Sequence, residues 1–216
     1  MSAKMEAVLF DMDGTLIDSK PIIEQAWRYV AQEYGIELSR TTIEQHIHGR
    51  SGNYTRDFLF KNLSIKERHI AKGKVDAIEE TSKPRLIHGV MSTLNMLREK
   101  GIKLALVTAS WDSRIEFILS LHDLHHYFDC VVSRNDVKHG KPHPDCFLLA
   151  SKRLHCNIQN CVVFEDSLSG LESGIQSGAK CIAIGHLDYS EIPVHSAYPD
   201  FIALLNDQQN SLFNPP

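Results

Sequence analysis

The 216-residue chain carries 23 Lys and Arg against 27 Asp and Glu, a net charge of −4, with 43% hydrophobic and 23% charged residues. That balance suits a soluble globular protein with a well-covered core. It provides no overall field to gather nucleic acid or an anionic membrane, and no apolar run approaches the ~18–20 residues of a membrane span.

The first element is a short apolar strand, Ala7–Phe10, which runs directly into Asp11-Met12-Asp13-Gly14-Thr15. Just past a strand end, two carboxylates at i and i+2 can converge on one small volume. By itself the string is equally compatible with a polar turn. From about Ser19 to Arg85 no strand signal follows. Helical patterns over 22–34, 41–46, 54–62 and 65–81 predict a small helical unit at 19–85, inserted into a core made of 1–18 and 86–216. Asp18–Pro21 and Thr81–Pro84 are its expected hinges. Further strands are predicted at 104–107, 130–132, 161–164 and 181–184. Helices at 91–100, 112–121, 144–154 and 168–177 lie between them, and Gly101 and Gly178 close the first and last. The strands are nearly continuous apolar runs, so both faces are expected to be covered. Strand and helix alternate in the manner of a doubly wound α/β fold with a parallel sheet. A last short helix is expected at 201–205, in a proline-broken tail that ends in Pro215 and Pro216.

Ligands of such sheets bind outside the carboxyl ends of the strands. The residues there are Asp11 and Asp13 after the first strand, Thr108-Ala109-Ser110 after the second and Glu165-Asp166-Ser167 after the fourth. Lys141 sits in the 138–144 loop before the 144–154 helix. Four acids on one rim suit a hard divalent cation such as Mg²⁺. The hydroxyl and the lysine suit an anion that this cation also touches, and phosphate fits best. Each residue also has a plainer reading. Thr108 can cap the helix at 112, Lys141 can be a solvated loop lysine, and Glu165 and Asp166 can be acids at a helix N-terminus.

The ordered set Asp11-x-Asp13-Gly14-Thr15, Thr108, Lys141-Pro142 and Glu165-Asp166 resembles the haloacid dehalogenase superfamily, specifically its phosphatases with a helical cap. It is similar to sugar-phosphate phosphatases and to β-phosphoglucomutase. The resemblance implies an α/β core with an inserted cap and Mg²⁺-dependent hydrolysis of a small phosphomonoester, a sugar or polyol phosphate, through an aspartyl-phosphate. Asp11 is then the nucleophile and Asp13 the general acid and base. The metal is held by Asp11, the Asp13 carbonyl and Asp166, with Glu165 bound directly or through water. Thr108, the Ala109 amide and Lys141 hold the phosphate oxygens. In the cap, Gly49 and Arg50 are the candidates for substrate selection. The alternatives are a β-phosphoglucomutase-like phosphomutase and a phosphate-sensing protein without turnover. Ile23 stands where the mutases usually carry a histidine, Trp111 where they have a phosphate-binding lysine, and Thr15 where they often have a hydrophobic residue. All three departures favour net hydrolysis.

Lys61, Lys66, Lys72 and Lys74 are expected to be exposed helical lysines rather than a Schiff-base site. His139 and His143 flank Lys141 with no catalytic role assigned, and His122, His125 and His126 lack a fourth ligand for zinc. Residues 1–6 have no signal-peptide shape. The five cysteines are odd in number and have no C-x-x-C spacing, which points to a reduced, cytoplasmic setting. The expected partner is a small phosphorylated molecule, with no nucleic acid and no membrane, and the chain is expected to be a monomer or weak homodimer.

Overall fold

A single strand register places the candidate residues. In the computed structural model, which describes residues 5–186 and 192–207, β1 (Ala7–Phe10) is entirely buried. Its side chains divide by the two-residue period of a strand. Val8 and Phe10 enter one apolar cluster with Leu94, Leu97, Ile118 and Phe201. Ala7 and Leu9 enter the opposite one with Phe147, Ala150, Leu154 and Leu171. Burial of a large apolar side chain contributes about 1.5–3 kcal/mol, so slipping β1 by one residue would exchange both sets and forfeit much of that packing.

The other strands are β2 (Lys103–Val107), β3 (Cys130–Val132), β4 (Cys161–Glu165), β5 (Lys180–Ile184) and β6 (Ser196–Tyr198). They form one parallel sheet in the order β3-β2-β1-β4-β5-β6. The chain moves outward from β1 to β3, then crosses back so that β4 pairs with the other side of β1. The crevice above β1 and β4 is therefore the topological switch point, where α/β sheets bind ligands. Helices α5 (Val90–Glu99), α6 (Asp112–Leu121), α7 (Asp145–Arg153) and α8 (Leu168–Ser177) cover the two faces, with α9 (Phe201–Asn206) after β6.

Five strands and all the expected helices appear within two or three residues of their predicted bounds. The sixth strand was not expected. Ser196-Ala197-Tyr198 is only three residues long, lies between Pro193 and Pro199, and pairs at the sheet edge, so it carries almost no apolar pattern. The expectations for residues 1–4 and for Pro215 and Pro216 lie outside the described residues.

Between β1 and α5 the chain forms four helices: α1 (Lys20–Glu33), α2 (Arg40–His46), α3 (Gly52–Leu59) and α4 (Ile65–Thr81). They enclose an apolar cluster of their own around Trp27, Val30, Ile43, Ile47, Phe60 and Val75. A capping box opens α4: the Ser64 hydroxyl accepts from the Glu67 amide while the Glu67 carboxylate accepts from the Ser64 amide. The segments entering and leaving these helices run side by side. The Asp18 amide donates to Arg85 O at 2.8 Å, and the Ile87 amide to Leu16 O at 2.9 Å. Among the described residues, no helix is long and apolar enough to cross a membrane.

Candidate active site

Asp11 continues the line of β1, its amide donating to Phe164 O at 3.0 Å, and the residue is 4% exposed. The Lys141 ammonium meets it from the loop before α7. Lys141 Nζ lies 2.5 Å from Asp11 Oδ1 and 2.7 Å from Glu165 Oε1, and donates to Val107 O at 3.2 Å. Burial works against that charge, but the Asp11 and Glu165 carboxylates outweigh it and raise the lysine pKa. The lysine stays protonated.

Glu165 is fully buried. Its Oε2 accepts from the Asp166 amide at 2.8 Å, the Ser167 amide at 2.9 Å and the Ser167 hydroxyl at 2.9 Å. Both of its oxygens are therefore engaged, one by the backbone turning into α8 and the other by Lys141. Asp166, also buried, accepts from the Thr15 hydroxyl at 3.1 Å through Oδ1, and its Oδ2 lies 2.5 Å from Lys20 Nζ. Burial pushes the Asp166 carboxyl up to about 6, with the Lys20 charge opposing the shift. Asp11 is raised as well, by burial first and then by the charges of Glu165 and Asp166, against the pull of Lys141. Asp13 is held differently: one oxygen accepts from the Ser19 hydroxyl and the other from the Ser110 hydroxyl, both at 2.8 Å.

Local sequence explains these positions. Gly14 has φ +89°, a left-handed turn that returns the chain beside Asp166, and a Cβ there would overlap the Asp166 carboxylate. Thr108 does not cap α6, whose N-cap is Trp111; its hydroxyl instead accepts from the Ser110 amide at 3.1 Å. The cap of α8 is Ser167, whose hydroxyl accepts from the Gly170 amide, so neither Glu165 nor Asp166 caps that helix. In the α2–α3 turn, Gly49 has φ +68°, and a Cβ there would overlap the Ser167 hydroxyl. This close approach brings the turn onto the core. The Ser169 hydroxyl donates to His48 O at 3.1 Å, and Arg50 reaches Lys141 O at 3.4 Å while its guanidinium stacks over the Tyr54 ring.

A small cavity of about 60 Å³ lies where the helices meet the strand ends. Of the residues singled out in the sequence, Asp11, Asp13, Gly49, Arg50, Thr108, Ala109 and Asp166 line it. Lys141 and Glu165 do not; they stand behind Asp11. Ser110, named at the second strand end without a role, and His48, next to Gly49, line the cavity too, whereas sequence reasoning missed Lys20, Lys72 and Glu79 as parts of the wall. The expectation that Lys72 is an exposed helical lysine is wrong. Lys72 is buried, paired with Asp76, and its ammonium lies 5.1 Å from the centre of the Trp111 ring. Trp111 thus has a cation above it although it is not one. The signal available was a Lys-x-x-x-Asp pair on the α4 face that carries Val75, which marks the packed side of that helix.

One ligand atom each from Asp11, Glu165 and Asp166 can be grouped within 4.8 Å. All three are hard oxygen donors, buried and mutually repulsive, and the donor set fits Mg²⁺. Glu165 already takes three hydrogen bonds and the Lys141 ammonium on its two oxygens, and Asp166 takes the Thr15 hydroxyl and the Lys20 ammonium on its own.

Residues 8–184 match the family model described as haloacid dehalogenase-like hydrolase. A phosphorylated carbohydrates phosphatase of Thermotoga maritima is 35% identical over 184 residues, spanning 82% of this chain and 84% of that protein. A fructose-1-phosphate phosphatase of Escherichia coli is 29% identical, spanning 85% and 98%. The crystal structure of β-phosphoglucomutase from Clostridium difficile superposes with a TM-score of 0.83 at 24% identity, covering 97% of each chain.

Glu79, on the cavity wall, gives a pH prediction. Burial, and next the Asp13 charge, push its carboxyl up to about 8. The native state then keeps a proton that the unfolded chain releases near its ordinary ~4.3, so stability falls as pH rises between those values. In thermal melts, Glu79→Gln should exceed wild type by on the order of 5 °C at about pH 9 and match it at about pH 4. A gap independent of pH would contradict the assignment.

Proposed function

The chain belongs to the haloacid dehalogenase-like hydrolases, and we propose that it hydrolyses a small phosphomonoester, a sugar or polyol phosphate, through a phosphoryl group carried on Asp11. The observation that carries this reading is the buried group of Asp11, Glu165 and Asp166, with Lys141 clamped against Asp11 at the switch point of the sheet. The Asp11 carboxylate attacks phosphorus as the bond to the leaving oxygen breaks. Asp13, held by Ser19 and Ser110, gives that oxygen a proton. Asp13 then takes a proton from a water molecule, which attacks the aspartyl-phosphate, releases inorganic phosphate and restores Asp11.

Lys141 fixes one Asp11 oxygen so that the other faces the cavity. Glu165 in turn fixes Lys141. Thr108, the Ala109 amide and Ser110 edge the place where phosphoryl oxygens would lie. Asp11, the Asp13 carbonyl and Asp166 would hold Mg²⁺, with Glu165 acting through Lys141 or through water. When bound, the ion offsets the repulsion between carboxylate and phosphate and polarises the transferring group.

The substrate class is supported by the two relatives, which are named for phosphorylated carbohydrates and fructose 1-phosphate, and by a cavity wall that presents His48, Arg50, Lys72 and Glu79 to a hydroxyl-rich ligand. Gly49 and Arg50, on the turn that closes over the core, are the first choice for selecting it. The 19–85 unit would move as a cap about the paired 16–18 and 85–87 segments to admit substrate. Ile23 lines the cavity at the position where β-phosphoglucomutases usually carry a histidine, a departure that favours net hydrolysis. All five cysteines are free, as fits a reduced cytoplasm.

A phosphate-release screen over sugar and polyol phosphates with Mg²⁺ should find turnover, and Asp11→Asn should lower it by ~10³-fold or more. Turnover near the wild-type rate in that variant would remove the nucleophile assignment. The Lys20 charge opposes a second cation on Asp166, so in calorimetry Lys20→Met should bind Mg²⁺ roughly 10-fold more tightly. Unchanged or weaker binding would contradict the placement of the ion at Asp166.

A further inference from the structure

The loop that delivers Lys141 inward carries a second set of ligating groups on its outer side. His139 Nδ1 lies 3.1 Å from Asp145 Oδ2, and His143 Nδ1 lies 2.9 Å from Asp145 Oδ1. The two imidazole rings are 4.7 Å apart between centroids, and one ligand atom from each of the three residues can be grouped within 4.8 Å of the others. Both histidines thus turn the same ring nitrogen toward the two oxygens of one carboxylate.

We propose that His139, His143 and Asp145 form a binding site for a late first-row divalent cation of the zinc class, separate from the buried acids at the strand ends. Two imidazole nitrogens and a carboxylate are donors that Zn²⁺ favours, and three protein ligands leave a position for water. Bonds of ~2.0–2.2 Å to one ion separate adjacent donor atoms by ~2.9–3.5 Å; the two nitrogen–oxygen spacings of 3.1 and 2.9 Å already lie in that range, and all three donor atoms lie within 4.8 Å of one another. Mg²⁺ prefers an all-oxygen shell and does not compete well here.

The scaffold is already held. Asp145 is the first residue of α7, the His143 amide donates to Gly140 O at 3.0 Å, and the Ser173 hydroxyl donates to His143 O at 2.7 Å. Because His139 and His143 lie on either side of Lys141, an ion bound there ties the loop across the residue whose ammonium sits on Asp11. The site is therefore placed to restrain that loop. It does not depend on the catalytic reading above.

The test is a calorimetric titration of the whole protein with Zn²⁺ in saturating Mg²⁺, followed by Co²⁺ substitution and absorption spectroscopy. Wild type and Asp11→Asn should each bind one Zn²⁺. The Co²⁺ protein should show the intense visible bands of a low-coordinate site with nitrogen ligands. The His139→Gln/His143→Gln double variant, and separately Asp145→Asn, should lose affinity by ~10-fold or more while keeping the wild-type circular dichroism spectrum. Equal Zn²⁺ affinity in the double variant, or no Zn²⁺ uptake by wild type in the presence of Mg²⁺, would overturn the proposal.

Discussion

Three carboxylates buried against one another are the constraint on which the rest of the site depends. Asp11, Glu165 and Asp166 are almost wholly shielded from water. At an effective dielectric near 20, two unit charges about 4 Å apart repel by about 4 kcal/mol, a large fraction of the net stability of a typical domain. Lys141 offsets this between Asp11 and Glu165, and Lys20 does so at Asp166. The two lysines come from opposite directions: Lys141 from the core loop before α7, and Lys20 from the first turn of the inserted helices. The acid cluster therefore joins the two parts of the chain electrostatically as well as providing the proposed chemistry.

The sheet supplies the geometry that makes such crowding possible. β1 is central, with parallel neighbours on both sides and a core cluster against each face, so its carboxyl end has little freedom to move. Asp11 and Glu165 leave adjacent strands at the same height, and the turn into α8 donates two amides and a hydroxyl to Glu165. With both of its oxygens occupied, Glu165 positions Lys141, and Lys141 positions Asp11. Asp13 stands outside this chain of contacts, held by the Ser19 and Ser110 hydroxyls rather than by a lysine.

Much of this was legible in the sequence because the controlling patterns are local. Buried parallel strands read as continuous apolar runs, and helices closed by Gly101 and Gly178 read by period, so the alternation that defines the sheet survived without tertiary knowledge. The positions after each strand end then followed from topology. What escaped was set by tertiary packing. β6 is too short and too proline-bounded to have a pattern. Lys72 and Glu79 look like ordinary polar positions on α4, and only packing against the core makes them part of a cavity wall. Lys20 adjoins a proline at a helix start, where nothing local indicates that its ammonium reaches Asp166 across 146 residues.

The central claim, that phosphate passes through a covalent bond to Asp11, is tested most directly by acid-quenching the enzyme during turnover of a ³²P-labelled sugar phosphate with Mg²⁺ and mapping the labelled peptide. The account predicts acid-stable, hydroxylamine-sensitive label on the peptide containing Asp11, and none in the Asp11→Asn protein. Label on another residue, or rapid phosphate release with no labelled protein at any time, would contradict it.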